Sequence, residues 1–170
     1  MTNKLTPSEL KKRLGEIKLL SLDVDGVMTD GGLYYTDEGT QFRKFNVKDG
    51  LGLKLAIKAG MQMCIISASK QVSTLTRAEH LGIQHVHIGA EDKLAALNEI
   101  RADLGFELHE IAHMGDDLTD VALMDHIGLA LTVTGAVDEA LEAAHYVTEK
   151  SGGDGAVREI CDIIVAGRKT

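Results

Sequence analysis

The sequence predicts an α/β fold in three layers, a parallel sheet with helices on both faces. Three observations carry this expectation. Short apolar runs alternate with segments of helical spacing along most of the chain. The runs are continuous, as in strands buried on both faces, and glycines close several of the helical segments. Repeated strand–helix units need crossover connections, and crossovers place helices over a parallel sheet.

The elements follow in order. Thr6-Pro7-Ser8-Glu9 sets a capping hydroxyl, a proline at the first helical position and a glutamate three residues on, so a helix opens the chain. Residues 17–22 form an apolar run that stops at an acidic pair, a buried strand. Residues 31–45 carry Leu33-Tyr34-Tyr35, a turn at Asp37-Glu38-Gly39 and a second β-prone run, the pattern of an inserted hairpin. Helices are then expected over 51–59, 72–81, 94–104, 118–126, 136–144 and 156–166, and strands over 61–67, 83–88, 110–114, 129–133 and 146–148. Gly60, Gly82, Gly105 and Gly128 mark helix ends. With no linker, repeat or low-complexity stretch, residues 1–170 are expected to form a single domain.

Composition narrows the function. A net charge of −8 argues against a nucleic-acid binder held by phosphate contacts, and means that an anionic substrate must find its cations at the site itself. Cys64 and Cys161 are the only cysteines, too few for a disulfide framework, and no zinc spacing occurs. The polar N-terminus lacks the apolar core of a secretory leader, and no apolar stretch reaches the roughly 18 residues of a membrane helix. A cytoplasmic protein that engages neither membrane nor nucleic acid is expected.

In parallel sheets, ligands gather beyond the carboxyl ends of the strands. Four groups sit there. The first strand ends in Asp23-Val24-Asp25-Gly26-Val27, and the strand at 61–67 ends in Ser67. Lys93 opens the helix after the strand at 83–88, and Gly115-Asp116-Asp117-Leu118-Thr119-Asp120 follows the strand at 110–114. Carboxylates from separate strands can bind Mg²⁺, which takes oxygen ligands and bridges them to phosphate. One aspartate can attack phosphorus to give an acyl phosphate, while a second serves as general acid and then base. A lysine and a metal would offset the repulsion between two anions, and turn amides could add donors to the phosphate.

Each group alone has an ordinary explanation. Asp-x-Asp can be a solvated strand end, Ser67 a turn hydroxyl, Lys93 a surface charge, and Asp116-Asp117 a helix cap. Their joint placement favours the chemical reading. A calcium loop fails, because the first ligand would be Ser21 and the closing glutamate position holds Gly32. A receiver-like signalling domain shares the sheet, an aspartate, a hydroxyl and a lysine. It has an acidic pair on the first strand and a lone phospho-acceptor later, whereas here the leading motif is Asp-x-Asp and the last acidic cluster is Gly-Asp-Asp. Intact carboxylates, hydroxyl and lysine speak against an inactive scaffold. His85, His87, Met61, Met63, Arg77 and Arg101 are read as packing or surface residues, and His113, just before Gly115, as packing or a support behind the site rather than a catalytic group.

The set Leu22-Asp23-Val24-Asp25-Gly26-Val27, Ile65-Ile66-Ser67, Lys93 and Gly115-Asp116-Asp117 with Asp120 resembles the four motifs of the haloacid dehalogenase-like phosphatases. The resemblance implies a Rossmann-like sheet, Asp23 as nucleophile, Asp25 as acid/base, and Ser67 and Lys93 as phosphate ligands. It further implies Mg²⁺ held by Asp23, Asp116 and the main-chain carbonyl of Asp25. Asp117 would order the metal's waters, and Asp120 would be either a secondary ligand or a helix cap. Asp30-Gly31-Gly32, Phe45-Asn46-Val47-Lys48-Asp49-Gly50-Leu51-Gly52 and Gly152-Gly153-Asp154-Gly155-Ala156-Val157-Arg158-Glu159 look like the 3-deoxy-D-manno-octulosonate 8-phosphate phosphatases of lipopolysaccharide synthesis, a capless, homotetrameric group. The gap between Asp25 and Ser67 agrees, having room for a hairpin and a helix but no cap domain.

The chain departs from that pattern in two places. Ala68-Ser69 stands where the family usually has Gly-Arg, and Lys48 where arginine is common. A serine cannot grip a carboxylate with two parallel bonds as arginine does. Two substrates therefore stay open, the octulosonate 8-phosphate and a nonulosonate 9-phosphate, with Lys48 and Arg158 as candidate substrate contacts.

Overall fold

The computed structural model describes residues 4–168. The ends of the expected 1–170 domain, including the first residues of its polar N-terminus, lie outside the described residues. Six parallel strands form the sheet: β1 (Leu19–Leu22), β4 (Gln62–Ser67), β5 (His85–Ile88), β6 (Ile111–Met114), β7 (Leu129–Thr134) and β8 (Tyr146–Ser151). Their spatial order is β5-β4-β1-β6-β7-β8, which puts β1 at the centre between β4 and β6. The short β2 (Tyr34–Tyr35) and β3 (Gln41–Phe42) pair antiparallel as a separate hairpin, turning at Gly39.

The two faces of the sheet read directly from strand periodicity. Leu20, Leu22, Met63, Ile65, Ala112 and Met114 pack on one face against α1 (Pro7–Glu16), α2 (Val47–Lys58), α3 (Ser73–Leu81) and α7 (Ala156–Arg168). Their alternates Leu19, Cys64, Ile66 and Ile111 pack on the other against α4 (Lys93–Leu104) and α5 (Leu118–Met124). The short α6 (Asp138–Ala143) leads into β8. Two polar side chains, Ser21 and His113, share this second face in register, Ser21 lying opposite Cys64 on one side and His113 on the other.

Most element boundaries agree with expectation within two or three residues, and α2 differs. It begins at Val47, four residues before position 51, because the Asn46 side chain accepts the Lys48 N–H at 2.8 Å and caps it. Gly50 and Gly52 have low helix propensity and hide this start in the sequence. The hairpin strands are two residues each, shorter than the 31–45 span suggested; a bridge between Thr29 and Phe45 closes the base of the insertion. A 3₁₀ turn at Leu108–Glu110 was not evident from spacing.

Candidate active site

Because β1 is flanked by β4 and β6, the residues after these three strands meet at the centre of one sheet edge. The loop after β1 is wound tightly: the Val24 carbonyl accepts N–H groups from Val27, Met28 and Thr29 at 2.9 to 3.3 Å. The Thr29 hydroxyl donates to the same carbonyl and accepts from Gly26 and Gly31. Gly26, at φ 86°, lets this loop press against Asp116; a Cβ there would lie 1.9 Å from Asp116 Oδ2. The glycine-rich segment before α7 backs the loop from behind. The Gly153 N–H donates to the Val27 carbonyl at 3.0 Å, and a Cβ on Gly152 would fall 1.6 Å from the Gly26 oxygen.

Asp23, Asp25, Ser67, Lys93, Asp116 and Asp117 all line one cavity of about 200 Å³, with Ala68, Ser69 and Thr119. Asp92 caps α4 by accepting the Ala95 N–H at 2.9 Å, and this fixes Lys93 at the first helical position. The buried Lys93 ammonium lies 2.8 Å from Asp23 Oδ1 and 2.6 Å from Asp120 Oδ1. Asp120 is engaged at both oxygens. Oδ1 also meets His113 Nε2 at 2.9 Å, and Oδ2 accepts the N–H groups of Asp116 and Asp117 at 3.1 and 3.2 Å. His113 in turn reaches Ser21 Oγ through Nδ1 at 3.0 Å. Asp120 thus joins a capping box with Asp117 to an anchor for Lys93. Asp117, the cap itself, accepts the Leu118 N–H at 2.6 Å.

The electrostatics call for a cation. Burial pushes the Asp23 carboxyl up to about 6, with the Asp120 charge adding to it and Lys93 opposing. Burial, then the charges of Asp23, Asp120 and Asp117, push Asp116 up to about 7. Burial works against ionisation of Asp120 as well, yet the His113 hydrogen bond and charge, with Lys93, hold it well below the usual carboxylate range. Burial also opposes the charge on Lys93, but Asp23 and Asp120 outweigh it and raise its pKa. Carboxylate oxygens of Asp23, Asp116 and Asp120 lie within 4.8 Å of one another, and the buried Asp116 Oδ1 has no hydrogen-bond partner. A hard divalent cation with oxygen ligands fits these residues.

Lys48 and Arg158 are not brought to this cluster. They line a separate recess with Tyr146 and Glu149, and Arg158 Nε is paired with Asp162 at 2.7 Å, one helical turn on. The stretches that carry them meet each other instead. Asp49 Oδ1 accepts the Arg158 N–H at 2.8 Å, and Asn46 Nδ2 donates to the Gly153 carbonyl at 3.1 Å. Sequence reasoning missed Arg43, whose guanidinium donates to Asp25 Oδ2 and Ser69 Oγ at 2.6 Å each. No local pattern marks it, since only the fold of the hairpin carries β3 back over the site.

A profile described as haloacid dehalogenase-like hydrolase matches residues 61–160. The chain is 42% identical over 154 residues to the 3-deoxy-D-manno-octulosonate 8-phosphate phosphatase of Yersinia pestis, covering 91% of this chain and 82% of that one. The phosphatase of that name from Moraxella catarrhalis, solved with magnesium, phosphate and KDO, is 38% identical with a TM-score of 0.90, covering 94% and 92% of the two chains. The cobalt-bound enzyme of Haemophilus influenzae is 32% identical with a TM-score of 0.87, covering 92% and 91%. With the aspartates, the lysine and the central sheet edge arranged as described, the chain belongs to the haloacid dehalogenase-like hydrolases and, among them, to the 3-deoxy-D-manno-octulosonate 8-phosphate phosphatase family of phosphoric monoester hydrolases.

Proposed function

We propose that this chain hydrolyses 3-deoxy-D-manno-octulosonate 8-phosphate in a Mg²⁺-dependent reaction that passes through a phosphorylated Asp23. The observation that carries this reading is the cluster of the buried Asp23 and the half-buried Asp116 beside Lys93, in a family whose Moraxella member was solved with magnesium, phosphate and KDO. Asp23 and Asp116, with the main-chain carbonyl of Asp25, would hold the ion, and Asp117 would order its waters. When bound, Mg²⁺ offsets the charge that keeps a carboxylate from a phosphate.

The residues of the chain then divide the work. An Asp23 oxygen forms the bond to phosphorus as the ester P–O bond breaks, and Asp25 gives its proton to the departing oxygen. Water next attacks phosphorus while Asp25 takes its proton, and the acyl-phosphate bond breaks to return Asp23 and inorganic phosphate. Lys93 compensates the charge on Asp23 and the phosphoryl oxygens. The Ser69 N–H donates to Ser67 Oγ at 3.3 Å, so the Ser67 hydroxyl proton is free for a phosphoryl oxygen.

Ser69 supports a second substrate, a nonulosonate 9-phosphate, because the cavity wall lacks an arginine at that position. Phosphate release from both sugar acids, measured with wild type and Asp23→Asn, tests the reading. The octulosonate ester should be preferred in kcat/KM, and Asp23→Asn should lose turnover by at least about 10⁴-fold while keeping its fold. Preference for the nine-carbon ester would reassign the substrate, and near-wild-type turnover by Asp23→Asn would refute the nucleophile.

The active form is proposed to be a homotetramer of single-domain chains in the cytoplasm. Leu33, Tyr35 and Phe42 on the hairpin, and Val47 and Leu51 on α2, are exposed apolar residues, as expected of a surface covered by another copy. Among the described residues no helix is long and apolar enough to cross a membrane.

A further inference from the structure

Arg43 follows β3, and its side chain is only 2% exposed although it comes from a surface hairpin. Its guanidinium is held by three elements. Nη2 donates to Asp25 Oδ2 in the loop after β1 and to Ser69 Oγ in the loop after β4, both at 2.6 Å. Nη1 donates to Thr74 Oγ1 on α3 at 2.9 Å. Nε is buried without a hydrogen-bond partner, a cost that a solvent-facing arginine would avoid. Among these acceptors Asp25 is the only acid; the hydroxyls of Ser69 and Thr74 serve to aim the planar fork.

We infer that Arg43 is a positioning residue for the acid/base Asp25: it pins Oδ2 and so turns the other oxygen, Oδ1, toward the oxygen of the departing sugar. The inference rests on the phosphatase reading and on Asp25 as its proton donor. It also assigns a purpose to the departure at Ser69. An arginine at that position would set a second cation against Arg43, whereas a serine accepts a hydrogen bond from it. The hairpin thereby enters the chemistry of its own protomer, independently of any contact with another copy.

Proton donation matters for an alkyl ester, whose alkoxide is a poor leaving group, and matters little for an aryl ester such as p-nitrophenyl phosphate. The ratio kcat/KM reports the steps through departure of the leaving group, so it isolates this difference. With Mg²⁺-loaded protein, Arg43→Gln should lower kcat/KM for the sugar phosphate by about 10²-fold, the scale of general-acid catalysis, and lower it for p-nitrophenyl phosphate by an order of magnitude less. Ser69→Ala, which removes one support of the guanidinium and leaves Asp25 and Thr74, should show the same asymmetry in smaller measure. Arg43→Lys should recover part of the alkyl-ester rate. Equal losses on both esters, or no loss on either, would overturn the role of Arg43 while leaving the phosphatase reading intact. A wild-type protein that released phosphate from neither ester would overturn both.

Discussion

The carboxyls of the buried Asp23 and the half-buried Asp116 have their proton affinity raised chiefly by loss of solvent, and this has a consequence for stability without metal. A carboxyl with a raised pKa in the folded state holds its proton more tightly there than when unfolded. Its stabilising contribution is complete below the ordinary 3.8 and is lost as pH rises through about 7 for Asp116 and about 6 for Asp23. Asp120 and Lys93 shift in ways that act below and above this window. Metal-stripped protein should therefore melt at a lower temperature at about pH 8 than at about pH 5, and added Mg²⁺ should raise the melting temperature more at the higher pH. Differential scanning calorimetry of the stripped protein checks this; a melting temperature that rose across the window would contradict the electrostatics. The residues behind this effect were legible in the sequence, because each directly follows a strand or opens the helix after one. Arg43 was not, and for His113 only packing or support was legible, without the partner it supports. One reaches Asp25 through a hairpin that folds back, and the other reaches Asp120 across the packed face of the sheet.

At the level of elements, the stretches 45–52 and 152–159 were readable as family signatures but not as a pair. The fold joins them: Asp49 takes the Arg158 N–H, Asn46 donates to the Gly153 carbonyl, and the two glycines press on the loop that carries Asp23 and Asp25. Lys48 and Arg158 are charged and easily noticed, yet they face a different recess, and the work of these segments falls to their small residues. Gly152→Ala puts a methyl where the Gly26 carbonyl stands, so the catalytic loop must move by an ångström or more. Turnover should fall by about 10²-fold, the cost of a displacement of that size at reacting groups. Steady-state kinetics at saturating Mg²⁺ checks it, and an unchanged kcat would show that the loop is not held from behind. The helix start at Asn46 was illegible for a related reason: glycines chosen for close packing weaken the local helical signal.

For the whole molecule, strand order decides what meets. The sequence places Asp23, Ser67 and Asp116 after three separate strands, but only the order β4-β1-β6 makes those strands neighbours. The alternation of strands and helices predicts a parallel sheet without fixing that order. The exposed Tyr35 and Phe42, at 60% and 50%, belong to this scale too. If another copy covers them, Tyr35→Asp with Phe42→Asp should shift the particle to a smaller mass by light scattering and lower kcat/KM for the sugar phosphate. An unchanged mass would remove the hairpin from the assembly surface.

Trapping the covalent intermediate tests the central claim most directly. Protein mixed with substrate and Mg²⁺ and quenched in acid during turnover should carry one phosphoryl group, mapped by peptide mass to Asp23. The modification should be absent from Asp23→Asn and from protein stripped of metal. A phosphoryl group on any other residue, or turnover by Asp23→Asn at the wild-type rate, would contradict the account.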